Sequence, residues 1–366
     1  MNRRLLILFS TTALCLVPAW SQARNVILFT ADGTGISTLN AASIYGYGKA
    51  QALYVQGMPY MALSDTSTAK EWIADGPSAS TAWATGVKTG NGIRSQSPSA
   101  QRGARAGENL KTILEYAEEH GLSTGVVTDN EETGVAAAAV SAFYAHSHMP
   151  QTRTASDAFQ QLLDMKFGNG VDVVIGPGRK LISGQYGKAG RDMAAEIRAK
   201  GYAYVNSIEA LSTLAPTQRV IALMDDIRFD LTAAIEQAVA RLKTNPKGFI
   251  LIANSDCKFP DAEKTLDQVL AFDKTVRTVS EQNKRDTLIL FTGSHGVNLR
   301  IKGEHLTETM KSADVKMIMG AISNQATHTA EEVPVLAMGP GAERVDGFVS
   351  NTEVFHYMMA ALKLGQ

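Results

Sequence analysis

Four polar residues share one local setting. Asp32, Asp256, Ser294 and His295 stand at or just beyond the ends of the apolar runs VILFTAD, FILIANSD and LILFTGSH. Two carboxylates, a hydroxyl and an imidazole can hold cations or move protons. They can also do less. Asp32 sits in the glycine-rich turn Asp32-Gly33-Thr34-Gly35, where it can cap the helix that follows, and His295 and His328 can be satisfied buried histidines. A second group of hydroxyls, Ser78 and Ser80, lies in DGPSASTAWATG, which has the look of a helix start.

The elements that would position these residues are legible. Runs such as Val26–Phe29, Thr124–Thr128, VDVVIG, KGFILIANSD, DTLILFTGSHG and VPVLAMGPG are continuously apolar and end in polar or glycine-rich turns. Between them lie stretches of helical periodicity, including 110–117, 231–242 and 266–279. Strands that are apolar on both faces and alternate with helices predict an α/β fold, a mostly parallel central sheet flanked by helices on both faces. In such sheets ligands gather beyond the carboxyl ends of the strands, which is where the four residues fall. The segment 94–107, RSQSPSAQRGARAG, is polar and without periodicity, and reads as a surface loop.

The formal net charge of −1 gives no reason to expect nucleic acid or a membrane surface as a partner. The first 23 residues have Arg3 and Arg4, then an apolar run to about Trp20, then Ser21-Gln22-Ala23. This reads as a cleaved signal peptide, followed by a single domain over 24–366 in the periplasm or outside the cell. A lipid attachment at Cys15 lacks the small residue expected after the cysteine. Once the leader is removed only Cys257 remains, so no internal disulfide is expected. A homodimer is left open.

Several segments together resemble the alkaline phosphatase family. NVILFTADGTG is similar to the first metal-binding strand and loop, and STAWATGVKTGNG to the helix after the nucleophile. NLKTILEYAEEHGLSTGVVT, SAFYAH, DTLILFTGSHG and HTAEEVPVLAMGPGA follow in the family's order. The resemblance implies the family's fold and its chemistry. A serine attacks phosphorus, two zinc ions and a magnesium ion surround the reaction, and an arginine holds the phosphoryl oxygens. Metals activate the nucleophile and offset the negative charge of the ester.

Carried over residue by residue, the pattern breaks. Asp32 matches the aspartate shared by zinc and magnesium, His295 and His328 match zinc histidines, and Asp75 matches the residue before the nucleophile. The nucleophile itself falls on Gly76, which has no hydroxyl. Reaching Ser78 or Ser80 would require a shift that destroys the STAWATG match, and helix geometry turns Ser78 away. The magnesium block holds Ala137 and Ala139, whose methyl groups bind no hard cation. Ser294 stands where a zinc aspartate is expected. The phosphate-binding arginine falls on Pro150, with Arg153 nearby. In ANSDCKFPDAEK an ungapped alignment puts Asp256 on a metal aspartate and Lys258 on a histidine, whereas a gapped one loses both. His146 and His305 are given no role.

Zinc is therefore expected to bind weakly or partially, through Asp32 with His295 and through Asp256 with His328, and magnesium not at all. Asp75, Arg153 and Lys258 are the expected contacts to a phosphate ester or other small anion. Two functions follow. One is a pseudophosphatase, exported, with weak or no hydrolysis of phosphomonoesters, that binds an anion, a metal or a protein. The alternative is a metal-dependent phosphoester hydrolase that uses water in place of serine.

Overall fold

The computed structural model describes residues 22–302 and 315–365. The leader, apart from Gln22 and Ala23, lies outside the described residues, as does His305. Among the described residues twelve strands are formed: Asn25–Asp32 (β1), Tyr60–Ser64 (β2), Ser123–Thr128 (β3), Val173–Gly176 (β4), Ala203–Val205 (β5), Val220–Leu223 (β6), Phe249–Asp256 (β7), Thr287–Gly293 (β8), Gly296–Ile301 (β9), Ile322–Thr329 (β10), Val333–Met338 (β11) and Asp346–Val349 (β12). Ten of them make one sheet in the order β12-β2-β11-β8-β1-β7-β3-β4-β6-β5, and β9 pairs with β10 separately.

β1 lies at the middle of the sheet and shows how it is built. Its sequence NVILFTAD is buried almost throughout, because both faces are covered. Val26 and Leu28 enter one core, with Trp83, Ile113, Phe159 and Met358. Ile27, Phe29 and Ala31 enter the other, with Leu39, Ile235, Phe272 and Val276. The alternation is the strand period of two. Helices Gly76–Thr85, Ile113–Glu119, Ala155–Leu163 and Glu353–Leu362 cover the first face. Helices Ile36–Tyr47, Leu231–Leu242 and Ala262–Asn283 cover the second.

The expected architecture is present, with three differences of detail. β11 runs antiparallel to both β8 and β2. The last long helix begins four residues before the expected 266 because Asp261 caps it, its carboxylate accepting from the N–H groups of Glu263 and Lys264. The segment 94–107 is not wholly a surface loop. Arg94 and Ser95 are fully buried, and Arg94 bridges to Ser147 while Gln96 bridges to Asn109. A long polar stretch without periodicity can still be buried when its backbone pairs with other loops.

Parallel pairing sets the site. Asp32 at the end of β1 is in register with Asp256 at the end of β7. β8 pairs on the other side of β1, ending at Gly293, so Ser294 and His295 emerge beside Asp32. The β9–β10 pair brings His328 opposite Val297 and hence next to His295.

Candidate active-site cleft

A cleft of about 440 Å³ opens above these strand ends. Asp32, Asp75, Gly76, Asp256, Lys258 and His328 all line it, with Ala137, Ala139 and Pro150. Arg153 is exposed and is not among the lining residues, so the structure does not place it where an anion contact was expected. Arg94 and Arg102 line the cleft instead.

Gly76 is the first residue of the helix Gly76–Thr85, with Asp75 as its N-cap. A Cβ built on Gly76 would lie 3.3 Å from Asp32 Oδ1 and 3.4 Å from the Ala139 methyl. Gly76 thus faces Asp32 and not a distant wall. Ser78 is committed elsewhere. Its N–H donates to Asp75 Oδ1 over 3.0 Å, and its hydroxyl accepts from Asp75 N over 3.1 Å, the two halves of a capping box. Ser80 is fully buried in the helix and does not line the cleft.

Asp32 is the electrostatic centre. Ser294 donates its hydroxyl to Asp32 Oδ1 and accepts from the Gly33 N–H at 3.1 Å. His295 Nε2 lies 3.5 Å from Asp32 Oδ1, and Lys258 Nζ lies 3.7 Å from Oδ2. Burial alone would raise the carboxyl pKa. The charges of Lys258, His295 and His328, with the Ser294 hydrogen bond, outweigh it and hold Asp32 at about 2. Lys258 Nζ is also 3.2 Å from His328 Nε2, whose Nδ1 faces the Ala74 carbonyl at 3.2 Å. Those partners fix a neutral imidazole that donates from Nδ1 and accepts from the ammonium.

The His295 and His328 rings stack with centroids 3.6 Å apart and planes at 19°. His295 Nδ1 donates to the Gly296 carbonyl over 3.0 Å, which leaves Nε2 buried without a hydrogen-bond partner. Burial lowers the His295 pKa to about 4, so the ring is neutral at pH 7. Asp256 departs in the other direction. Burial and the nearby charge of Asp32 push it up to about 7. Its Oδ2 accepts from Asn130 over 3.1 Å, and its Oδ1 is buried and unpartnered.

The donors do not fit a metal centre. Catalytic zinc takes at least three protein ligands. Asp32 and His295 are two, and the Ser294 hydroxyl is spent on Asp32. Around His328 the neighbour is an ammonium, which repels a cation. The pair Asp256 with His328 is not assembled as a ligand pair, because Asn130 engages one and Lys258 the other. Among the described residues no three His, Cys, Asp or Glu side chains converge as a metal-holding group. Ala137 and Ala139, which the resemblance sets in the magnesium block, line the cleft with methyl groups.

Arg94, Arg102 and Asn130 escaped sequence reading. For Asn130 a signal existed. It follows β3 as closely as His295 follows β8, two residues beyond a strand end. For the two arginines there was none, since their segment has no periodicity.

A sheet of this order, with a polar cleft at the carboxyl ends of β1, β7 and β8, defines an α/β protein whose ligand site lies beyond the strand ends. The alkaline phosphatase family model matches residues 23–319 and 307–364, and the chain belongs to the alkaline phosphatase family. Relatives include streptomycin-6-phosphate phosphatase of Streptomyces griseus, 26% identical over 94% of this chain and 91% of the relative. Alkaline phosphatase of Escherichia coli (strain K12) is 24% identical over 93% and 86%. Among solved structures, alkaline phosphatase from the Antarctic bacterium TAB5 superposes with a TM-score of 0.78 at 21% identity, covering 94% of this chain and all of that one (100%). The Thermus thermophilus alkaline phosphatase gives 0.78 at 22%, covering 94% and 92%.

Proposed function

We propose that this protein is an exported, non-hydrolysing member of its family, whose cleft holds a phosphate ester or similar small anion without cleaving it. One observation carries the reading. Gly76 faces Asp32 with no hydroxyl to offer, and the ammonium of Lys258 sits between Asp32 and His328, two residues that would each need to meet a metal ion. Covalent phosphoryl transfer needs an activated oxygen, and phosphate monoesters have among the highest uncatalysed barriers known. A site without nucleophile, arginine at position 150 or complete ligands forfeits most of the acceleration. Magnesium is excluded from the proposal because Ala137 and Ala139 carry no oxygen.

The competing reading, hydrolysis by a metal-activated water, draws on the unpartnered Nε2 of His295. It requires at least one tightly held ion. A phosphatase assay with added zinc and magnesium, run beside elemental analysis and mass spectrometry of the same sample, separates the two. The expected result is no sustained turnover, less than one zinc per chain and no phosphorylated peptide over 73–92. Metal-dependent turnover at rates usual for enzymes sinks the non-hydrolysing reading.

A further inference from the structure

Two arginines in the cleft are left over by everything above. Arg94 is fully buried. Its guanidinium donates to three neutral oxygens: the Ser141 hydroxyl at 3.2 Å, the Met149 carbonyl at 3.1 Å and the Thr154 hydroxyl at 2.9 Å. Its Nε is buried and has no partner. Among the described residues no carboxylate forms an ion pair with Arg94 or with Arg102. A buried charge is costly unless it is paired. Arg241 is buried too, but it donates to the carbonyls of Ala215, Leu211 and Leu214 and does not line this cleft. Arg94 has one carbonyl and two hydroxyls, which compensate a cation less.

Arg102 lies over Gly92. That glycine has φ of +76°, and a Cβ there would come within 2.5 Å of Arg102 Cδ and 2.6 Å of Nε. The arginine therefore crosses the backbone at a point that any side chain would block. Arg102 is itself exposed on its loop, and it lines the cleft together with Asp75, the residue before Gly76. The remaining charged groups of the cleft are accounted for. Lys258 is engaged by Asp32 and His328, Asp75 caps a helix, Asp256 is held by Asn130, and Glu132 is exposed at the rim.

We propose that Arg102, laid across Gly92, is the residue that grips the phosphoryl oxygens of an anion over Gly76. Arg94 acts through its neighbours as a positioning residue, since it is sealed from solvent and donates to the carbonyl just before Pro150. The two replace, from a different segment, a cation that position 150 no longer carries. The inference rests on the reading that the cleft holds a phosphate ester or phosphate, and it adds which residues select a tetrahedral oxyanion.

Calorimetric titration of the full mature protein with inorganic phosphate and with phenyl phosphate tests it. A charge-assisted hydrogen bond to an oxyanion is strong enough that Arg102→Ala should weaken phosphate binding by about 10-fold or more. Arg102→Lys should recover part of the loss. Gly92→Ala should weaken binding to a similar degree by displacing Arg102, and the double variant should be no weaker than Arg102→Ala alone. Arg94→Lys should lower affinity less than Arg94→Met at matched thermal stability. Arg198→Ala, on the helix Met193–Ala199 and not among the residues that line the cleft, is the control for lost charge. Circular dichroism confirms that each variant is folded. Phosphate binding that is unchanged in Arg102→Ala and Gly92→Ala overturns the inference and leaves the non-hydrolysing reading standing. The absence of phosphate binding to the natural protein at millimolar concentration overturns the inference together with the anion-holding part of the proposed function. Independent losses in the double variant overturn the link through Gly92. Turnover of phenyl phosphate overturns the non-hydrolysing reading while the Arg102 comparison still decides the inference.

Discussion

At the scale of single residues, the geometry around Gly76 makes a sharp statement about repair. A Cβ there finds 3.3 Å to Asp32 and 3.4 Å to Ala139, tight but not prohibitive. Gly76→Ser should therefore fold with little change in stability and yet not restore family-level hydrolysis, because its hydroxyl would meet Asp32 with no metal to activate it. Steady-state rates for the variant, with zinc and magnesium supplied, check this. Lys258→His is the informative companion. It removes the cation between Asp32 and His328 and adds an imidazole, so zinc content after dialysis should rise to about one per chain. No rise would mean that the ammonium is not what keeps a metal out. Of these residues, Asp32, Gly76, His295 and His328 were legible because each is embedded in a strongly patterned segment. Asp256 and Lys258 could be aligned two ways, and only the register of β7 with β1 placed them. Arg102 and Arg94 were illegible because a loop's path depends on what it packs against.

At the scale of elements, two joints can be tested apart from any ligand. The capping box of Asp75 and Ser78 holds the start of the helix Gly76–Thr85. Ser78→Ala should cost about 1 kcal/mol of stability and leave any residual turnover unchanged in kind, as denaturant titration and rate measurements would show. The helix Ile113–Glu119 is tied to β3 through buried Glu118, whose carboxylate accepts from the Thr124 hydroxyl at 2.5 Å and the Asn169 N–H at 3.2 Å. Burial, despite the Thr124 bond, pushes Glu118 up to about 8 from its ordinary 4.5. The folded state thus binds a proton that the unfolded state releases. Its contribution is fully present below pH 4.5 and is lost as pH rises toward 8. Glu118→Gln should abolish that part of the decline, so the melting-temperature gap between the variant and the natural chain should shift in the variant's favour between pH 5 and pH 8. A gap that is flat with pH would refute the assignment. Helix 231–242 was readable to the residue, since periodicity and the Asp230 cap agree. The direction of β11 was not, because a strand apolar on both faces reads alike in parallel and antiparallel pairings.

At the scale of the whole molecule, the sheet carries a core on each face, and Cys257 is buried and free. Among the described residues no helix is long and apolar enough to cross a membrane. If export proceeds as proposed, sequencing of the mature protein should begin at Arg24. Ala23 is itself buried, beside a hollow lined by Leu122 and Leu362, so cutting there would open a small apolar notch. A mature chain that keeps Ala23 would place the cut upstream. The last consequence comes from Lys258. An ion in a phosphatase can be stripped by a chelator or withheld by a zinc-poor habitat, and the enzyme then falls silent. A lysine is part of the chain and is replenished by translation alone. Phosphate capture by this protein should accordingly be indifferent to EDTA, and its melting temperature should not move on chelation.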